Sequence, residues 1–127
     1  MIFFGGDPGK SGGVAVVSGV GFAYAYKWPE DEREAIAMMQ HIQSEWNETS
    51  MGCIEEVHTM PRDSARAAFT FGRAYQAMRS SFIAARIPFQ DVKPRVWQRD
   101  VGITPKLKNE TKTHFKNRLK SKAQQLY

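Results

Sequence analysis

The stretch that decides the fold is Ile2-Phe3-Phe4-Gly5-Gly6-Asp7-Pro8-Gly9-Lys10-Ser11-Gly12-Gly13-Val14-Ala15-Val16-Val17. An apolar run leads to a single carboxylate, Asp7, and then to a Pro-Gly turn and a second run rich in β-branched residues. Short apolar runs broken by Gly and Pro predict the two strands of a hairpin. Because glycines lie on both sides of the turn, its backbone can approach a bulky group such as a phosphate.

The rest of the chain predicts alternating strands and helices. Bulky and small residues alternate over 21–28, which predicts a third antiparallel strand, and 30–47 has the apolar spacing of an amphipathic helix. The further predictions are a strand over 51–58, a helix from Asp63 or Ser64 to about Arg86, a strand over 89–92, a short helix over 93–102, and a last helix opening at Asn109 and Glu110. This order predicts an α/β fold: a mixed five-stranded sheet, with three antiparallel strands followed by strand–helix units, flanked by helices.

Length and composition restrict the class of protein. With 127 residues, 42% of them hydrophobic, we expect a single domain over 1–127. We find neither an apolar run long enough to cross a membrane nor a signal peptide. The one cysteine, Cys53, lies in an apolar run, so we expect a buried, inert thiol and no disulfide framework. An intracellular location follows as an expectation.

Positive charge is concentrated near the C-terminus. Residues 104–127 contain seven Lys or Arg and one acid, Glu110, whereas the remaining residues contain eleven Lys or Arg and twelve acids. The net charge of +5 therefore originates in this segment. Basic clusters of this kind attract a phosphate backbone without reading its sequence. A solvated tail is the alternative interpretation of the charge alone.

Two adjacent carboxylates, Glu55 and Glu56, end the strand predicted over 51–58. Successive side chains of a strand point to opposite faces, so the two cannot both face one site. A charge at the end of a buried run requires a partner, which is either an ion pair or a metal ion. From the residues alone, a salt-bridged strand end remains open.

Four sequence blocks in this order resemble the RuvC-like Holliday junction resolvases of the RNase H-like superfamily, in particular their phage type. The blocks are Gly6-Asp7-Pro8-Gly9-Lys10-Ser11-Gly12-Gly13, Ile54-Glu55-Glu56-Val57-His58-Thr59-Met60-Pro61, Phe71-Gly72-Arg73-Ala74-Tyr75 and Lys93-Pro94-Arg95-Val96-Trp97. The resemblance implies an RNase H-like fold and a structure-selective endodeoxyribonuclease that acts on branched DNA in the cytoplasm of a bacterium or of a phage-infected cell.

The resemblance also implies a role for individual residues. Asp7 and Glu55 would hold Mg²⁺ or Mn²⁺, with two ions roughly 4 Å apart in a complete site, and Lys112 would be the basic catalytic residue near the scissile phosphate. Further contacts to DNA would come from basic and polar residues of the turn, of the segment after Glu55 and of the basic region: Lys10, Ser11, Arg62, Arg66, Lys106, Lys108, Lys112 and Lys116.

Resolvases of this type are homodimers, since a four-way junction needs two symmetric cuts. The resemblance places the interface on the long helix, at Phe69, Arg73, Tyr75 and Phe82. Packing of these residues on their own sheet is the alternative interpretation.

The chain departs from the family in one respect. RuvC-like enzymes have two further acids in a segment after the basic helix, and this chain provides two of the four expected metal ligands, so we expect a C-terminally truncated domain. A non-catalytic protein that binds branched DNA on the same scaffold is therefore the second hypothesis. A third, an actin-like or sugar-kinase-like ATPase with a similar Asp-x-Gly loop, needs two lobes and a far longer chain.

Overall fold

A computed structural model describes residues 1–126. In chain order its elements are β1 (Ile2–Asp7), β2 (Gly13–Ser18), β3 (Ala23–Lys27), α1 (Glu32–Trp46), β4 (Ser50–Glu55), α2 (Ala65–Ala84), β5 (Phe89–Val92), α3 (Pro94–Asp100) and α4 (Lys112–Leu126). The predicted order of strands and helices is confirmed. The chain divides into two compact units, one comprising Met1–Val92 and the other beginning at Lys93.

The first unit contains the whole sheet, in the order β3-β2-β1-β4-β5. The two hairpins β1–β2 and β2–β3 are antiparallel, whereas β4 lies parallel to both β1 and β5. This is the predicted mixed sheet, with β1 at its centre. Because β1 and β4 are parallel neighbours, their carboxyl ends lie at the same edge of the sheet.

One face of the sheet is packed against α1 and α2. Phe4 of β1 and Ile54 of β4 are buried there together with Met39 of α1 and Met78 and Phe82 of α2. The Phe82 ring meets those of Phe4 and Phe89 edge to face, at centroid distances of 6.1 and 5.5 Å. Residues that alternate with these, such as Phe3 and Met51, lie on the opposite face and are exposed.

Local sequence sets the ends of both long helices. The Asp31 side chain accepts hydrogen bonds from the N–H groups of Arg33 and Glu34, and that of Ser64 accepts one from the N–H of Ala67. Either side chain satisfies backbone donors that have no partner in the first turn. Of the two caps predicted for α2, Ser64 is therefore the one used.

Some local predictions from the sequence are wrong. Cys53 is exposed rather than buried, because it alternates with the buried Gly52 and Ile54 and so lies on the face opposite the helices. The last helix begins at Lys112 rather than at Asn109 and Glu110.

The arginine Arg79 fastens α2 to the edge strand β5. Its guanidinium lies 5.6 Å from the centroid of the Tyr75 ring and 5.4 Å from that of Phe89, and it donates a hydrogen bond to the carboxylate of Asp91. Partial burial and the Asp91 carboxylate raise the pKa of the Tyr75 hydroxyl above its ordinary value. The cluster holds the edge strand against the helix.

Candidate functional site

Asp7 and Glu55 end two adjacent parallel strands. The last register pair of these strands is Gly6 with Ile54, and Asp7 and Glu55 are the residues that follow. Gly6 and Ile54 are both buried beneath α2, so strand alternation places Asp7 and Glu55 on the opposite face. Neighbouring strands lie about 4.8 Å apart, which brings the two carboxylate-bearing residues side by side.

Glu56 occupies a different position. Its N–H donates a hydrogen bond of 2.9 Å to the carbonyl of Val92, and its carboxylate lies 3.9 Å from Nδ1 of the exposed His58. Strand alternation turns it away from the face of Glu55. The register therefore distinguishes two acids that are adjacent in the sequence.

The turn after Asp7 is held by close backbone contacts. A Cβ atom added to Gly12 would lie 2.0 Å from the carbonyl oxygen of Asp7, so only glycine fits there. The Gly12 N–H donates to the carbonyl of Gly9 (3.1 Å), and the Gly12 carbonyl accepts a hydrogen bond from the N–H of Trp28 (3.0 Å). Gly12 therefore positions Asp7, a role that sequence reasoning missed, although the paired glycines of the turn were a signal for a close approach.

Four of the residues predicted to contact DNA lie in the first unit, and their side chains are at the surface. Lys10 and Ser11 are exposed residues of the turn. Arg62 follows β4 and Arg66 is in the first turn of α2, and both are exposed. The segment between them is tied by Asp63, whose carboxylate accepts a hydrogen bond of 2.7 Å from the Met60 N–H.

Carboxylate oxygens are the ligands that hard divalent cations prefer. Asp7 and Glu55 therefore suit one such ion. Within residues 1–126 no group of three or more His, Cys, Asp or Glu side chains could hold a metal ion. In the described chain, Asp7 and Glu55 are the two candidate donors that the register of β1 and β4 brings together.

The second unit contains the remaining predicted DNA contacts. Lys112 and Lys116 are exposed and one turn apart at the start of α4, and Lys106 and Lys108 are exposed in the preceding loop. The helix contains no Asp or Glu between Lys112 and Leu126. The exposed lysines of this loop and of α4 therefore form a surface that attracts anions.

A charged network fixes the start of α4. The Glu110 side chain is 3% exposed and accepts hydrogen bonds from Arg118 Nε (2.7 Å) and from the Leu107 N–H (3.1 Å), with Nδ1 of His114 also 2.7 Å away. Arg118, His114 and the Leu107 N–H together lower the pKa of Glu110 to about 2. Thr111 Oγ1 accepts from the His114 N–H, so Thr111 caps the helix that was predicted to open at Asn109.

The four residues predicted to form an interface are placed differently from one another. Phe69 is 67% exposed, with the guanidinium of Arg73 5.9 Å from its ring centroid. Tyr75 is half-buried beside Arg79. Phe82 has no exposed surface because it fills the core between sheet and helix. The prediction that Phe82 lies at a dimer interface is therefore wrong.

Within residues 1–126, no helix is both long and apolar enough to cross a membrane. No family model matches the chain, and no curated protein matches it.

Solved structures do resemble it. RuvC of T. thermophilus in complex with a Holliday junction substrate matches with a TM-score of 0.59 and 18% identity, over 80% of this chain and 70% of that one. A second Thermus thermophilus RuvC structure matches with a TM-score of 0.48 and 22% identity, over 77% of this chain and 68% of that one. The chain therefore has the RNase H-like fold of RuvC.

Proposed function

We propose that the chain is a metal-dependent, structure-selective endodeoxyribonuclease that cuts Holliday junctions or other branched DNA by phosphodiester hydrolysis. The observation that carries the proposal is the position of Asp7 and Glu55, which end adjacent parallel strands on one face of the sheet. The fold shared with a RuvC that was solved on a Holliday junction supports the choice of substrate.

In this proposal Asp7 and Glu55 hold Mg²⁺ or Mn²⁺, which when bound polarises a phosphoryl oxygen and lowers the pKa of a bound water. Lys10, Ser11, Arg62 and Arg66 contact the phosphates of DNA, positioning the strand without reading its sequence. Lys112 is the proposed basic catalytic residue. Lys106, Lys108 and Lys116 add phosphate contacts that make binding sensitive to salt.

The test is cleavage of a labelled four-way junction in Mg²⁺ or Mn²⁺. Asp7→Asn and Glu55→Gln should abolish cutting, since each replaces a carboxylate ligand of the metal with a neutral amide. Junction binding should persist, because the proposed phosphate contacts are unchanged. Glu56→Gln is the matched control, because it makes the same chemical change one residue away on the other face. If Glu56→Gln and Glu55→Gln reduce cutting equally, the assignment of the site is wrong.

A second candidate is a non-catalytic protein that binds branched DNA on the same scaffold. One observation favours it: residues 1–126 bring together no group of three or more metal-ligating side chains. Binding to the junction that weakens with salt, with no cutting in either metal, would support this candidate and refute the first.

The proposal includes a homodimer, because two symmetric cuts require two sites related by a two-fold axis. Its support on this chain is an exposed aromatic and basic patch on α2, formed by Phe69 and Arg73. Aromatic residues and arginine are enriched in the centres of protein interfaces.

A further inference from the structure

The second unit has an open pocket of about 450 Å³. One side is formed by Gly102, Ile103 and Thr104, which follow α3. The other side is a single face of α4, and its lining side chains are His114, Asn117, Arg118, Ser121, Lys122 and Gln125. The volume falls within the range of about 300–1,000 Å³ that is typical of small-ligand sites.

Apart from Gly102 and the apolar Ile103, the lining consists of cationic and neutral polar residues and includes no carboxylate. Residues 93–126 include two acids, Asp100 and Glu110. Asp100 is paired with Arg99, and Glu110 is enclosed by Arg118 and His114. Within that part of the unit, Lys122 is thus the pocket cation that no carboxylate neutralises, so the pocket favours an anion.

A stripe of neutral hydrogen-bonding side chains runs along the α4 side of the pocket. Asn117, Ser121 and Gln125 recur every four residues, which places them on one face of the helix. All three are exposed residues that line the pocket, so a ligand in the pocket would meet hydrogen-bonding side chains on this side. Carboxamides match the edges of bases, adenine above all, and a serine hydroxyl also suits a phosphate.

This stripe is separate from the exposed lysines of α4. Lys112, Lys116 and Lys120 also recur every four residues, but they lie outside the pocket lining. The lysine stripe offers charge alone, whereas the pocket offers one cation beside three groups that form directional hydrogen bonds. The pocket therefore fits a compact anion that also has hydrogen-bonding edges.

We propose that this pocket binds one unstacked nucleotide unit, with its phosphate at Lys122 and Ser121, one turn from Asn117, and its base edge at Gln125. Taking DNA as the source of that nucleotide rests on the proposed function. A free nucleotide has the same chemistry, and the experiment separates the two sources. The pocket gives the second unit a means of preferring one base over another, which the lysine stripe lacks.

The experiment follows the side-chain amide signals of the full-length, ¹⁵N-labelled chain by NMR. It is titrated in parallel with a short oligodeoxyadenosine and with dAMP. The signals of Asn117 and Gln125 should shift saturably, while that of Gln124, an exposed neighbour outside the pocket, should not. Saturation by the oligonucleotide alone identifies a strand as the ligand, and equal saturation by dAMP identifies a free nucleotide.

Variants make the test quantitative. Gln125→Ala should weaken binding of the oligonucleotide about fivefold, as expected for the loss of one hydrogen bond, whereas Gln124→Ala should leave it unchanged. Lys122→Ala should reduce the salt dependence of binding by about one phosphate contact.

Equal shifts at Gln124 and Gln125, equal effects of the two alanine variants, or no shift at Gln125 with either ligand would overturn the proposal. The outcome is independent of cleavage. If junctions stay uncut while the amide signals of Asn117 and Gln125 respond, the nuclease assignment fails and the pocket stands. If junctions are cut and those signals do not respond, the pocket fails alone.

Discussion

Adjacent glycines of β1 should respond in opposite ways to the same substitution. A Cβ atom added at Gly6 would lie 2.6 Å from Sδ of Met78 and 3.5 Å from Cγ1 of Ile54, whereas one added at Gly5 meets nothing within 4 Å. Met78 and Ile54 have no exposed surface. Gly6→Ala therefore forces a buried side chain to move, and Gly5→Ala does not.

The magnitude follows from two opposing effects. Overpacking a core costs about 1–3 kcal/mol, while replacing glycine with alanine recovers roughly 0.5–1 kcal/mol of backbone entropy. We expect Gly6→Ala to lower the free energy of unfolding by about 1–2 kcal/mol. Gly5→Ala, which meets no steric cost, should raise it by about 0.5–1 kcal/mol. Because Asp7 follows Gly6 directly, the shift of β1 should also reduce junction cutting.

The assay is urea unfolding at equilibrium, in a double-mutant cycle with Met78→Ala. Met78→Ala alone should cost about 2–5 kcal/mol and leave a cavity, into which the Cβ of Gly6→Ala fits. In the Met78→Ala background, Gly6→Ala should then no longer lower the free energy of unfolding. This corresponds to a coupling energy of at least about 1 kcal/mol between the two substitutions. An equal cost of Gly6→Ala in both backgrounds, or equal costs at Gly5 and Gly6, would refute this reasoning.

Two further predictions concern Glu110, which precedes the basic helix α4, and Phe69, which belongs to the exposed aromatic patch of α2. The folded-state pKa of Glu110 is about 2, below its ordinary 4.5. Its contribution to stability is therefore complete above about pH 4.5 and is lost as the pH falls towards 2. Glu110→Gln should remove this part of the pH dependence of urea unfolding, and an unchanged pH profile would contradict the prediction. For the proposed dimer, Phe69→Asp should shift sedimentation towards the monomer, because it places a charge in an apolar interface. Val20→Asp, the control at a residue that is 82% exposed, should leave sedimentation unchanged. A Phe69→Asp chain that sediments like the parent chain argues against an interface at Phe69.

Much of the fold could be predicted from local patterns. The apolar runs around Asp7, the helical spacing over 30–47 and the Gly and Pro breaks determine which segments form strands and which form helices, because those preferences act between near neighbours. Burial was harder to predict. Cys53 was expected inside and Phe82 at an interface, yet which face of β4 and of α2 is covered depends on residues far away in the chain.

The same division applies to the candidate site. The sequence by itself determined that two carboxylates end apolar strands, that alternation allows only one of Glu55 and Glu56 to share a face with Asp7, and that the positive charge lies near the C-terminus. The parallel pairing of β1 with β4 decided that Glu55 is that residue, because register is a contact between segments about fifty residues apart. The alignment of Asn117, Ser121, Lys122 and Gln125 along one pocket likewise required the packing of α4 against the segment after α3, since helical spacing defines a face but not what that face meets.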